Sequence, residues 1–159
     1  MPGWTDIFAK HWNRPSTVAV WNLNRLKEIS VKHQNTLYWI LTSIMAAFMS
    51  LGAVADVFRL PTALAWFMHL GYPAYLLPFI GFAKIIGVTV VLAPGIRRLR
   101  EWAYAGLVFD LVGAFYSHIS VGDPFAAWIL PVIGLLLVVG SYALYRRRTN
   151  QEATYVFAS

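Results

Sequence analysis

Apolar residues fall into four long blocks, with the polar and charged positions between them. Segment one covers about residues 35–58 (NTLYWILTSIMAAFMSLGAVADVF), and Pro61 closes it. Segment two covers about 73–93 (PAYLLPFIGFAKIIGVTVVLA) and ends at Pro94-Gly95. Segment three covers about 101–119 (EWAYAGLVFDLVGAFYSHI), followed by the turn Gly122-Asp123-Pro124. Segment four covers about 124–145 (PFAAWILPVIGLLLVVGSYALY) and is stopped by Arg146-Arg147-Arg148. Each block holds 19–24 residues, against the ~20 that a helix needs to cross hydrocarbon. The pattern predicts an all-α membrane protein, a bundle of four transmembrane helices. Pro78 and Pro131 fall inside segments, where neighbouring helices can satisfy the freed backbone groups.

A weaker pattern precedes segment one. Val18, Trp21, Leu23, Leu26 and Ile29 recur at roughly helical spacing, with Arg25, Lys27 and Lys32 among them and Ser16 as a candidate cap. This predicts a basic amphipathic helix over about 17–32 lying along a membrane surface; a loosely ordered tail is the alternative. The organisation is an N-terminal arm (1–34), a four-helix transmembrane domain (35–148) and a short tail (149–159).

Composition agrees: hydrophobic residues make up 58% and charged residues 13% of the 159, where soluble domains carry nearer a quarter charged. The net charge of +6 would suggest nucleic acid in a soluble chain, but its distribution says otherwise. Eleven of the thirteen Lys and Arg residues lie in the arm, between segments two and three, or after segment four. Those regions share one face of a four-pass chain, so the bias puts both termini in the cytoplasm. The expected setting is a bacterial inner membrane, with lipids and other membrane subunits as partners and no nucleic acid. No early apolar run suggests a cleaved signal peptide. The absence of cysteine removes disulfides, thiolate metal sites and CxxC redox chemistry. Trp39, Tyr38, Trp102, Tyr104, Trp128, Tyr142 and Tyr145 sit near segment ends, as interfacial anchors do.

Lys84 and Asp110 are the most informative positions. Lys84 lies ten residues before Pro94 and Asp110 ten after Arg100, so on antiparallel helices both reach ~15 Å depth. A charge at the bilayer centre costs at least ~2.5 kcal/mol and is usually partnered, so the two are expected to pair or share a polar cavity. The pair is either a structural salt bridge or a proton or ligand site, which makes Lys84 and Asp110 the catalytic candidates. Stripes of small residues surround them: Ala103, Gly106, Gly113 and Ser117 on segment three; Pro78, Gly81 and Gly87 on segment two; Ala46, Ser50 and Ala53 on segment one. Tight helix packing is the expected role of all three stripes, with a cavity beside the charges as the alternative. A second group, Asp56, Arg59, His69, His118 and Asp123, gathers at the outer face. It reads as interfacial residues turned to water, with a metal site or a quinone headgroup pocket as alternatives; the spacings match no metal motif. Glu101 opens segment three, where the helix dipole and Arg97 or Arg98 would stabilise it.

The run HLGYPAYLLPFIGFAKIIGVTVVLAPGIRRLREWAYAG (69–106), followed by FDLVGAFYSHISVGDP (109–124), resembles the DoxX-like membrane proteins. The resemblance spans about 36–145 and implies a four-helix membrane bundle. The matching positions are His69, Gly71, Lys84, Glu101, Tyr104 and His118, so Tyr104 joins Asp56, Arg59, His69 and His118 among the ligand-binding candidates. The family takes its name from a subunit of quinone-linked oxidation, which implies a membrane subunit working with a redox partner and a quinone, with no intrinsic cofactor evident and no stand-alone enzyme expected. A non-catalytic scaffold subunit and a small-molecule or proton carrier are the other readings. The scaffold would use residues 1–34 as a docking arm, and the carrier would need a polar path from Asp56 and His118 to Lys84.

Overall fold

The structure, a computed structural model, describes residues 17–95 and 97–158. All of its regular elements are helices: α1 (Thr17–Val57), α2 (Pro61–His69), α3 (Leu76–Leu92), α4 (Arg97–Ser120) and α5 (Phe125–Ala158). The chain divides into two compact units, Met1–Thr36 and Leu37–Ser159. In the first, Arg25 lies 4.4 Å from the Trp21 ring and Thr36 Oγ1 donates to Lys32 O at 3.0 Å. The Ser16 cap, and the Val18, Leu23, Leu26, Lys27 and Ile29 side chains of the amphipathic stripe, lie outside the described residues.

In the second unit each long helix buries one narrow stripe and leaves large apolar side chains on its other faces. On α1 the stripe is Tyr38, Thr42, Met45, Met49, Ala53 and Asp56, every step three or four residues, as one helix face requires. On α5 it is Gly134, Val138, Ser141, Tyr145 and Thr149. Around these, Phe79, Phe82, Ile86, Phe109 and Tyr116 are exposed, a pattern a soluble bundle would not tolerate over so many residues. Two stretches, Val31–Val57 and Phe125–Asn150, are long and apolar enough to cross a membrane. Of the four segments expected to span, the other two differ for physical reasons: α3 is apolar but only 17 residues long, and α4 carries Arg97, Arg98, Arg100, Glu101 and Asp110.

Close approach is visible at Gly81, where a Cβ would lie 2.8 Å from Val57 N and 2.9 Å from Ala53 O. At Gly134 it would lie 2.8 Å from Leu111 Cδ2 and 2.9 Å from Phe48 Cε1. These glycines let α3 meet α1 and let α5 meet its neighbours. Buried Ala46 and Ala53 extend the same tight packing.

Several local expectations change. Residues between segments one and two form α2, with Pro61 at its first position. Pro78 lies in the first turn of α3, where its missing N–H costs nothing because the first four have no intrahelical partner. Arg97 and Arg98 belong to the helix, not the loop, and Arg100 Nη2 donates to Ala93 O across the turn. Arg146, Arg147 and Arg148 end the apolar stretch without ending α5, since Arg is a good helix former. Tyr38 and Tyr145 are 2% and 3% exposed, so they are core residues rather than interfacial anchors, whereas Trp39 and Trp102 stay exposed.

Candidate functional site

Lys84, midway along α3, is held by carboxylates from both sides. Its Nζ donates to Asp56 Oδ2 of α1 at 2.8 Å and lies 3.4 Å from Asp110 Oδ2 of α4. The expected Lys84–Asp110 pairing is present, but Asp56, assigned from sequence to the outer group, is the nearer partner. The signal for it was in the stripe: Ala46, Met49 and Ala53 recur at steps of three and four, and the next step is Asp56. One ammonium thus serves two carboxylates, with side chains still 13–21% exposed.

Those three side chains lie on the wall of a groove of about 990 Å³ between α3 and α4. The rest of the wall is almost entirely apolar. Phe79, Phe82, Ile86 and Phe109 flank its side; Trp66, Phe67 and Tyr72 line one end, and Leu99 and Trp102 the other. Gly106 and Gly113 also line it, with nothing within 4 Å of a Cβ built at either. Of the small-residue stripe on α4, expected to pack against another helix, Ala103, Gly106 and Gly113 instead line this space, while Ser117 is buried. Bare helix backbone therefore borders Asp110 above and below.

At the Trp66 end two helices close in the same way. After α2, Gly71 (φ 83°) lets Gly71 N–H reach Met68 O and Tyr72 N–H reach Phe67 O; after α4, Gly122 (φ 77°) lets Gly122 N–H reach Ile119 O and Asp123 N–H reach His118 O. These are glycine-terminated Schellman motifs, and each aims the next residue into the site. Asp123 accepts from His69 Nε2 through Oδ1 and from His118 Nδ1 through Oδ2, both at 2.7 Å. The two ring N–H groups hold the Asp123 carboxyl below the ordinary carboxylate range, His118 contributing most. Ser117 Oγ gives its proton to Gly113 O at 2.7 Å, so at 2.7 Å the Tyr72 hydroxyl donates to Ser117 Oγ. Trp66 meets the His69 and His118 rings edge-on, at 5.9 and 5.7 Å between centroids. The sequence grouped His69, His118 and Asp123 correctly; it gave no hint of Tyr72 with Ser117. Arg59 is exposed and left-handed (φ 50°), and none of the described ion pairs includes it. Among the described residues, no three His, Asp or Glu side chains are arranged to hold a metal ion.

A family model described as the DoxX-like family matches residues 40–141. The chain belongs to the DoxX-like family. The matched stretch contains the Lys84 trio, the groove and the His69–Asp123–His118 cluster. The uncharacterized protein YdgD of Bacillus subtilis (strain 168) is 29% identical over 105 residues, covering 62% of this chain and 91% of that protein. No solved structure matches the chain. Family membership and the two long apolar stretches make this a membrane protein.

Two positions shared with the DoxX-like pattern lie apart from the groove's charges. Tyr104, 2% exposed, bonds Ser141 Oγ at 2.8 Å, and Ser141 bonds Thr42 Oγ1 at 2.7 Å. With Tyr142 and Tyr145 ringed around it at 5.3 and 6.1 Å, Tyr104 ties α4 to α5 inside the core. Glu101 meets Arg146 at 3.4 Å, both about half exposed, and not Arg97 or Arg98 as its position suggested.

Proposed function

We propose that this DoxX-like protein is a four-pass subunit of a quinone-linked redox complex in the bacterial inner membrane, with both termini cytoplasmic, and that it holds a quinone in the groove between α3 and α4. The observation that carries this reading is the Lys84 ammonium, with Asp56 and Asp110, on the wall of an otherwise apolar groove. A volume of about 990 Å³ stands at the upper end of the ~300–1,000 Å³ usual for small-molecule sites. Flat aromatic walls suit a ring, and the lipid-facing side suits an isoprenoid tail.

Lys84 would donate to a carbonyl oxygen of the ring, and Asp110, the more loosely held carboxylate, would accept from a hydroxyl. A bound quinone supplies a two-electron, two-proton couple. The chain contributes binding, orientation and charge balance, and a partner subunit contributes the electrons, since no cysteine pair is present. Four passes are supported by the exposed apolar faces of α3 and α4 and by the pairing of Lys84 with the carboxylates, which lowers the cost of placing α3 and α4 in hydrocarbon. The clustering of Lys and Arg at one face supports the orientation.

The test is purification in mild detergent or native nanodiscs, followed by solvent extraction and mass spectrometry of what remains bound. Roughly one quinone per chain, reduced in Lys84→Met, is expected. Absence of any quinone, together with no redox partner in pull-down, overturns the reading.

A further inference from the structure

We infer that α2 is a lid across one end of the groove, held shut by two latches: His69 to Asp123 and Tyr72 to Ser117. The inference rests on the groove being a ligand site and concerns when water reaches it from that end.

Nothing in α2 is buried, yet Ala63, Trp66 and Phe67 form the groove's end wall. An element with no buried apolar side chain belongs to the part of a fold that opens at least cost. The corners on either side are left-handed, Arg59 at φ 50° and Gly71 at φ 83°, and such short element-terminal positions are where hinge motion is absorbed. What holds the lid is polar and reaches one place, α4 and the turn after it. His69 reaches Asp123 at 2.7 Å, Tyr72 reaches Ser117 at 2.7 Å, and Trp66 lies against His118. His118 grips the other oxygen of Asp123, which fixes the carboxylate in position for His69. Lys84 and Asp110 stand on α3 and α4, outside the lid, while Asp56 precedes the hinge and its carbonyl accepts the Arg59 N–H at 3.2 Å.

Because the chain has no cysteine, one can be introduced as a reporter. Gly113→Cys places a thiol in the groove where a Cβ meets nothing. In nanodiscs this thiol should react slowly with a charged, membrane-impermeant methanethiosulfonate. Adding Asp123→Asn should raise the rate roughly tenfold or more, the scale set by losing a charge-assisted hydrogen bond. Tyr72→Phe should raise it less, and it provides the same comparison if Asp123→Asn fails to fold. Hydrogen exchange of 61–72 should accelerate in both variants while the rest of the bundle stays protected. Labelling and exchange unmoved by both variants would overturn the lid. If purified protein holds no quinone but the latch variants still speed labelling, the quinone reading falls and the lid stands. If quinone is bound and labelling is unmoved, the lid alone falls.

Discussion

The Lys84 ammonium donates to Asp56, a residue of a different helix and 28 positions away, at 2.8 Å, and meets Asp110 only at 3.4 Å. Two carboxylates therefore depend on one cation, and they depend on it unequally. Removing the cation leaves both without their partner, whereas removing either carboxylate leaves a balanced pair.

This asymmetry orders the stability losses. Lys84→Met should destabilise the bundle more than Asp110→Leu, with Asp56→Leu between them. Breaking a buried pair costs ~3–5 kcal/mol in soluble proteins; in membranes, water and snorkelling reduce the loss. Two double-mutant cycles read by thermal unfolding separate the couplings. The Lys84–Asp56 coupling should exceed the Lys84–Asp110 coupling. The reverse order would show that Asp110 is the structural partner and Asp56 the looser one, and equal couplings would show that the two carboxylates hold the cation alike.

Glycines along α3 and α4 make opposite demands. A Cβ at Gly81 would meet backbone atoms of α1 at 2.8 and 2.9 Å, and backbone cannot step aside as a side-chain tip can. Gly81→Ala should cost ~1–3 kcal/mol through overpacking. Gly113→Ala meets nothing within 4 Å and removes a poor helix former, so it should be neutral or stabilising by up to ~1 kcal/mol. Thermal unfolding of the two single variants measures the contrast.

The sequence made the helices legible because an apolar block between breakers has few other solutions, and it made Lys84–Asp110 legible because depth can be counted from a shared turn. Asp56 escaped because it ends its segment: proximity to the boundary suggested water, while its place on the buried stripe pointed inward. The groove stood only as the lesser reading for a different reason. Small residues usually mean close helix packing, and nothing in the spacing of Gly106 and Gly113 tells whether the space above them is filled by a helix or left open. Of the two latches only Tyr72–Ser117 escaped, because it joins residues 45 positions apart through a turn whose direction is set by Gly71.

Asp123 sets how the lid answers to acid. Its folded carboxyl is held below the ordinary value by His118 and His69, so as pH falls the unfolded chain takes up the proton first. The stabilisation from these bonds is whole above the unfolded value of ~3.9 and is lost only as pH falls through the lower folded value. Hydrogen exchange of 61–72, corrected for the chemical rate, should therefore stay constant from neutral to about pH 5, and rise only below the ordinary carboxylate range. Loosening already at pH ~6 would assign control of the lid to a group other than this carboxylate.

Filling the groove separates ligand binding from stability. Gly106 lies one turn before Asp110 on α4 and faces the open space. Gly106→Leu adds four carbons to the groove wall beside the carboxylate, leaving Lys84, Asp56 and Asp110 unaltered. A Cβ there meets nothing within 4 Å and the remaining carbons enter the groove, so the fold should be unaffected, and loss of a helical glycine should offset any strain. Ligand capacity should fall sharply, because the added side chain occupies space the ring needs against the α4 backbone. Bound quinone measured after purification should drop by roughly tenfold or more, the effect of about 1.4 kcal/mol, while the unfolding temperature holds or rises. Gly106→Ala, one carbon instead of four, should fall between. If Gly106→Leu retains full quinone with unchanged stability, the ring does not lie against this stretch of α4, and the groove's role would rest on the Lys84 side of the wall alone.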